Sequence, residues 1–281
     1  MKPVTIQVPA TTANLGPGFD CLGVALNLYN RVTVSDGKSL PADPFLRQTT
    51  SLFFKKASLP QEPFDLVIKG KVPSSRGLGS SVTVRLGLLA ALNIRFGSPL
   101  DPKTILELGI ELEGHPDNAV PGALGGFCVC RSNQWLRTPV DPRLHFIAAI
   151  PETPMSTKEA RRVLPRSLPR AKIVENLQNT AFITAAFFSK EYERLRDSFV
   201  DHLHQPFRAP LLPGFPQTIE AARAAGALGA FLSGSGSTVM ALTLERPKSV
   251  ARVMQSSLNH AGHQRVTTLV LSADNRGIQQ I

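Results

Sequence analysis

Alternating apolar and polar positions mark two strands early in the chain, VTIQV at residues 4–8 and NRVTVS at 30–35, flanking a glycine-rich segment. SLPADP, at 39–44, carries the residues of a loop, and FLRQTTSLFFKKA after it reads as a helix. FDLVIKGKV is a third strand, and it opens into VPSSRGLGSSVTV, residues 72–84, at the mouth of an apolar run. Over 80–96 that run keeps Val82, Leu86, Leu89 and Leu92 near one helical face, with Ala90 adjoining, before Pro99. A second helix is expected at 101–113. Asp101 suits its N-cap, Pro102 its first position, Ile105, Leu108 and Leu112 its buried face, and Gly114 its stop.

Gly/Pro-rich HPDNAVPGALGG then interrupts the pattern, with Asp and Asn of a turn in it, ahead of a strand FCVCRS. LHFIAAIP is a buried strand, and the Pro-rich stretch near 150–155 marks the best boundary, dividing the chain into 1–152 and 153–281. Beyond it the pattern predicts helices around 156–163, 173–188 and 216–225, strands at 230–232 and 238–244, a helix at 248–261 and a strand at 266–271. Strands and helices interleaved in both halves imply an α+β or α/β protein, without a repeat of fixed period.

Composition narrows the picture modestly. The 281 residues are 42% hydrophobic and 19% charged, enough for a substantial core, and no apolar run reaches the roughly 20 residues of a membrane span. The N-terminus lacks the basic and apolar regions of a secretion signal. Three cysteines, Cys21, Cys128 and Cys130, form neither a disulfide framework nor a metal pair, so a cytoplasmic protein is expected. A formal charge of +10 favours anionic partners, but the basic residues are scattered. With aromatics at 6%, one Trp and two Tyr, a stacking platform for nucleic acid is poorly supplied. Neither nucleic acid nor membrane is the expected partner; a small molecule is.

The chemistry begins in the 72–84 segment. Gly77 and Gly79 permit positive φ and close backbone approach, and successive N–H groups in such a turn make an anion nest. The helix behind it aims unpaired N–H groups and its dipole at the same point. Ser80 and Ser81 add hydroxyls that can cap, bind phosphate or ligate Mg2+. The residues suit a polyphosphate, although GxxxxGK[ST] fails for want of a lysine and GxGxxG fails at Val82.

VPSSRGLGSSVTV resembles the P-x-x-x-G-L-G-S-S-A-A loop of the GHMP small-molecule kinases, through Pro73, Gly77, Leu78, Gly79, Ser80 and Ser81. It departs at Val82 and Thr83, where the family prefers alanine. PATTANLGPGFDCLGVAL, EGHPDNAVPGALGG, STKEARRVLP, FRAPLLPGF and LGAFLSGSGSTVMAL are similar, in chain order, to segments of the homoserine kinase branch; Ser237 stands where that branch usually has proline. The resemblance implies a two-domain α+β GHMP kinase fold, with a ribosomal-protein-S5-like N-terminal domain, a ferredoxin-like C-terminal domain and an active site between them. It implies ATP and Mg2+ as cofactors and L-homoserine as substrate, phosphorylated on its side-chain hydroxyl for threonine biosynthesis; it leaves a homodimer open.

Residue roles follow from the same resemblance. Pro73, Ser74, Ser75, Arg76, Gly77, Leu78, Gly79, Ser80 and Ser81 would hold ATP, with Ser81 and either Glu111 or Glu113 at the metal. Asn118 would orient the substrate hydroxyl, and Asp117 would be its base or a hydrogen-bond anchor, with His115 in the same turn. Asn14 and Asp20 suit an ammonium and a hydroxyl, and Arg161 and Arg208 match the arginines of the substrate carboxylate. Thr157, Gly234, Ser235 and Gly236 complete the substrate end. Three other outcomes stay open: a different GHMP alcohol kinase, an ATP-binding regulator without turnover, and an RNA-binding relative.

Overall fold

The structure is a computed structural model and describes residues 2–281. The first half holds β1 (Val4–Ala13), β2 (Leu22–Asp36), α1 (Pro44–Ala57), β3 (Phe64–Gly70), α2 (Ser80–Arg95), α3 (Pro102–Glu113), α4 (Pro116–Leu124), β4 (Phe127–Arg131) and β5 (Gln134–Thr138). The second holds β6 (His145–Pro151), α5 (Thr157–Arg162), α6 (Arg170–Ser189), α7 (Gln205–Arg208), α8 (Phe215–Ala224), β7 (Gly229–Leu232), β8 (Val239–Thr243), α9 (Pro247–His260), β9 (Val266–Leu271) and β10 (Gln279–Gln280). The expected elements are present, and the local signals account for their ends. Asp101 accepts from Thr104 N at 2.7 Å, Pro102 opens α3, and Gly114 closes it at φ 80.

The sheets cut the chain differently from a boundary at 152/153. Strands β10-β1-β2-β4-β5, with β3 beside β2, form a six-stranded sheet, so the C-terminal strand returns to the N-terminal one. The second sheet runs β7-β8-β6-β9, all antiparallel, so β6 belongs with the later strands. Strands β6, β7, β8 and β9 with α8 and α9 between them make a β-α-β-β-α-β unit, the ferredoxin-like order.

Three apolar clusters hold the layers. One lies between the first sheet and α1–α4, another between the second sheet and α8 and α9. A third joins the halves: Val24, Leu26 and Phe127 pack with Ile183 and Phe187 of α6 and with Phe146, Phe231 and Met240 of the second sheet. The β1–β2 ladder shifts register between Pro9 and Ala10. Before the shift Ile6, Val8, Val32 and Val34 serve the helix-side cluster; beyond it Ala10, Val24 and Leu26 serve the joining one. A bulge re-aims a strand in this way, and here it delivers Thr11 and Thr12 to the space between the halves.

One expectation needs correction. HPDNAVPGALGG is not a turn: Pro116–Leu124 is an α-helix. Pro116 occupies the first turn, where its missing N–H costs nothing. Pro121 lies inside and removes the usual donor to the Asp117 carbonyl. That carbonyl sits against Gly23 of β2, where a Cβ would lie 1.9 Å from it. Proline-based reasoning read a break because the missing donor is at the buried, strand-facing side of a short helix, where packing outweighs it.

Candidate active site

A cleft of about 640 Å³ lies between the halves. One end is the 72–81 loop, and its shape follows from where its carbonyls go. Ser75 O accepts from Met155 N (3.1 Å), Arg76 O from Thr238 N (3.2 Å), Gly77 O from Ser233 Oγ (2.6 Å) and Leu78 O from Thr11 N (3.2 Å). The four carbonyls from Ser75 to Leu78 are thus turned outward to other segments. The N–H groups from Gly77 to Ser81 donate to nothing among the described residues. Gly79 is the N-cap of α2 and offers no side-chain cap, so the helix dipole adds to the same concavity. Only glycine fits: a Cβ on Gly77 (φ 71) would lie 2.0 Å from Ser233 O, and one on Gly79 (φ 65) 2.0 Å from Thr11 Oγ1.

The side chains of this loop do less than its backbone. Leu78 is buried in the joining core. Ser80 Oγ turns back to Val72 O at 3.4 Å. Arg76 points away from the anion nest, bonding Pro151 O (2.9 Å), Glu152 O, Ser74 O and Ser75 O, so it staples the loop to the end of β6. Pro73 is partly buried, and Ser74 and Ser75 line the cleft. Val82 and Thr83 sit in packing beneath: Val82 belongs to the helix-side core, and Thr83 Oγ1 donates to Ser80 O (2.7 Å) and accepts from Asn30 Nδ2 (2.8 Å). Ser237 Oγ likewise donates to a backbone carbonyl, Thr153 O, at 2.6 Å.

Ser81 and Glu113 meet at the mouth of the loop, with Ser81 Oγ donating to Glu113 Oε2 at 2.8 Å. Arg85 Nη1 holds the other oxygen, Oε1, at 3.0 Å, and the guanidinium lies 4.3 Å over the Phe45 ring. A hydroxyl and a carboxylate beside a phosphate nest are the hard oxygen donors Mg2+ takes when phosphates and water supply the rest. The donor set fits that ion. Glu111 is on another face of α3, lining a shallow pocket with Gln48 and Lys55. Of the two candidates, only Glu113 reaches the cleft.

Helix α4 brings the middle of the cleft. Asn118 Oδ1 accepts from Thr11 Oγ1 at 2.6 Å, which fixes the amide and leaves Nδ2 as its donor. Asp117 is buried, with Oδ1 2.6 Å from His115 Nδ1. Burial lowers the His115 pKa, but the hydrogen bond and charge of Asp117 outweigh it, so the imidazole titrates above its ordinary value. Gly23 makes this close approach of α4 to β2 possible.

The far end is built from side chains. Asp20, at φ 54, is joined by both its oxygens to Arg161 of α5, at 3.0 and 2.7 Å. Asn14 positions that carboxylate: its Oδ1 accepts from Asp20 N (3.0 Å) and its Nδ2 donates to Gly234 O (3.0 Å). Arg208 is 2% exposed. Its Nε donates to Ala160 O and its Nη1 to Gly234 O, both at 3.0 Å, and Nη1 lies 3.2 Å from His204 Nδ1. Nη2 has no hydrogen-bond partner among the described residues, and the side chain lines the cleft. Burial and the Arg161 charge push the Arg208 pKa down to about 10, still charged at neutral pH. His204 is fully buried and donates from Nε2 to Gly16 O at 2.8 Å; burial holds its pKa below the ordinary value, so it is neutral and accepts from Arg208. Phe19 carries both guanidinium groups, each 5.3 Å from its ring centroid. Thr157 Oγ1 is 3.3 Å from Ser235 Oγ at the rim, and Gly236 packs behind, against Met155.

Sequence reasoning passed over Thr11, Thr12, Ser233, Phe19 and Arg85. Thr11 and Thr12 lie inside a quoted motif, yet a threonine on a strand carries no signal of its own; its meaning comes from the bulge. Three other histidines lie in ordinary surroundings: His202 pairs with Glu175, His260 with Ser256 O, and His263 with Pro213 O. The buried thiols fit a packing role, burial pushing Cys128 up to about 12 and Cys130 higher. Among the described residues no helix is long and apolar enough to cross a membrane.

A backbone anion nest on one side of the cleft, facing a ferredoxin-like unit on the other, is the arrangement of a GHMP-type small-molecule kinase. The family models agree, with "GHMP kinases N terminal domain" matching residues 45–126 and "GHMP kinases C terminal" residues 184–260. The chain is 39% identical to a homoserine kinase of Carboxydothermus hydrogenoformans over 92% of this chain and 91% of that protein, and 35% identical to one of Halothermothrix orenii over 98% and 95%. A crystal structure of homoserine kinase from Cytophaga hutchinsonii superposes with a TM-score of 0.89 at 26% identity, covering 100% of this chain and 98% of that one. A mevalonate kinase structure shares the fold, at TM-score 0.74 and 15% identity. The chain belongs to the homoserine kinase family.

Proposed function

We propose that this chain transfers the γ-phosphoryl group of ATP to the side-chain hydroxyl of L-homoserine, giving O-phospho-L-homoserine and ADP, a step of threonine biosynthesis. One observation carries the reading: a single cleft has a backbone anion nest at one end, charged groups of both signs at the other, and Asn118 between them. The substrate oxygen attacks the γ-phosphorus, the bond to the β-bridging oxygen breaks, and the hydroxyl proton is released. Catalysis of that transfer is mostly alignment and charge stabilisation. The N–H groups of Gly77 to Ser81 hold the β- and γ-phosphates. Ser81 and Glu113 would hold Mg2+, which would neutralise phosphate charge. Asn118 Nδ2 donates to the substrate oxygen, and Asp117, tied to His115, anchors the turn presenting it. Arg161 and the free Nη2 of Arg208 take the carboxylate; Asp20 takes the ammonium.

ADP release measured across L-homoserine, mevalonate, shikimate and galactose tests the reading. Turnover is expected with homoserine alone. Strong turnover of another alcohol beside none of homoserine overturns the substrate; nucleotide binding without turnover of any overturns the kinase.

A further inference from the structure

We propose that the Asp20–Arg161 pair is a charge-exchange latch that selects zwitterionic substrates, which deepens the homoserine reading and rests on it. The two residues come from opposite walls: Asp20 from the segment between β1 and β2, Arg161 from α5. They neutralise each other through two hydrogen bonds, 3.0 and 2.7 Å. Both side chains keep about a third of their surface exposed, 32% and 38%, so both are within reach of a ligand. Neither can be bypassed: Phe19 backs the guanidinium, and the Asn14 amide holds the backbone of Asp20.

The pair occupies the groups a bound amino acid needs. A zwitterion breaks one ion pair and makes two, its ammonium replacing Arg161 on Asp20 and its carboxylate replacing Asp20 on Arg161. The number of opposite-charge partners rises, and no charge is stranded. A ligand with a carboxylate but no ammonium must open the same pair and leave Asp20 without its cation. A ligand with an ammonium alone strands Arg161, next to the already buried guanidinium of Arg208. Selection therefore uses the resident pair as a competitor for each single charge. The contact is partly exposed, so it is weak enough to open on binding.

Two alcohols that each lack one charge of homoserine are the probes: 4-hydroxybutanoate, without the ammonium, and 3-aminopropan-1-ol, without the carboxylate. Their kcat/KM values, taken from ADP release at low substrate so that saturation is unnecessary, are compared in wild type, Asp20→Asn, Arg161→Gln and the double variant. Asparagine tolerates the positive φ of Asp20, and thermal melts check that all four chains fold. The latch predicts that Asp20→Asn raises kcat/KM for 4-hydroxybutanoate by ~3–5-fold when Arg161 is present and leaves it unchanged in the Arg161→Gln background. It predicts the mirror result for 3-aminopropan-1-ol with Arg161→Gln, conditional on Asp20. Equal gains in both backgrounds mean simple repulsion by one residue and overturn the latch, as does no gain in either. Wild-type turnover of homoserine is the separate control: its absence removes the substrate reading, whereas its presence with no coupling removes only the latch.

Discussion

The two ends of the cleft present charge by opposite means. The loop end is made of backbone: N–H groups freed by sending four consecutive carbonyls outward, with glycine where a Cβ would strike Ser233 or Thr11. The far end is made of side chains, Asp20, Arg161 and Arg208, drawn from three segments and fixed by neighbours such as Asn14 and His204. Backbone recognition is contiguous in the chain and intolerant of any added atom. Side-chain recognition is dispersed, and its charges can be exchanged singly. The difference teaches where each end is vulnerable.

The largest effect is expected from breaking the backbone end. Gly79→Ala adds a Cβ 2.0 Å from Thr11 Oγ1 at φ 65, and should cost ~2–4 kcal/mol of stability from left-handed strain and overpacking. Nucleotide affinity should fall with it; urea melts and nucleotide titration measure the two, and an unchanged nucleotide Kd would remove the nest from the site. Next, Arg208→Ala should lower homoserine affinity by ~30- to 1,000-fold with ATP affinity kept, because a hydrogen-bonded buried charge is lost from one end only. Equal losses for both ligands would erase the division between the ends.

A smaller effect separates the acids of α3. Glu113→Gln should raise the Mg2+ concentration for half-maximal rate by ~10-fold or more, at least what loss of a metal's outer partner costs, while Glu111→Gln changes nothing. The reverse pattern would move the metal away from Ser81. The smallest effect is a pH dependence at the side-chain end. The His204 pKa is depressed in the folded state, so below the ordinary value of about 6.5 the unfolded chain binds a proton the folded chain refuses. Stability from this group is complete above that pH and declines as pH falls toward the depressed value. His204→Gln, which keeps a donor for Gly16 O but does not titrate, should flatten the decline between pH 7 and 5 by up to ~1 kcal/mol per pH unit. Denaturant melts at several pH values check it; an unaltered slope would show that His204 does not carry the acid sensitivity.

The unequal legibility of the two ends follows from the same contrast. The loop could be read in detail because glycines, hydroxyls and a following helix are neighbours in sequence, and local geometry determines what they make. Within that loop the side chains go separate ways that only packing decides: Arg76 staples it to the end of β6, Leu78 fills a core and Ser80 turns back to Val72. At the other end only family resemblance singles out Arg161 and Arg208, which line the cleft, since nothing local separates them from Arg162, Arg166 and Arg170. Helix α4 was missed as a helix because two prolines and three glycines dominate its local signal, while its close contact at Gly23 lies far back in the chain.

By itself, the sequence determined the elements with strong periodicity, the caps of α3, the glycine turn at the mouth of α2 and the α+β class. Those features depend on backbone preferences and on residues within a few positions of one another. Only the tertiary structure decided that β6 joins the later strands, that Glu113 and not Glu111 faces the cleft, that Thr11 reaches Asn118, and that Asp20 and Arg161 neutralise each other across it. These are long-range pairings, and a side chain's charge or hydroxyl acquires its partner only when packed sheets and a bulged strand bring distant segments within hydrogen-bond distance.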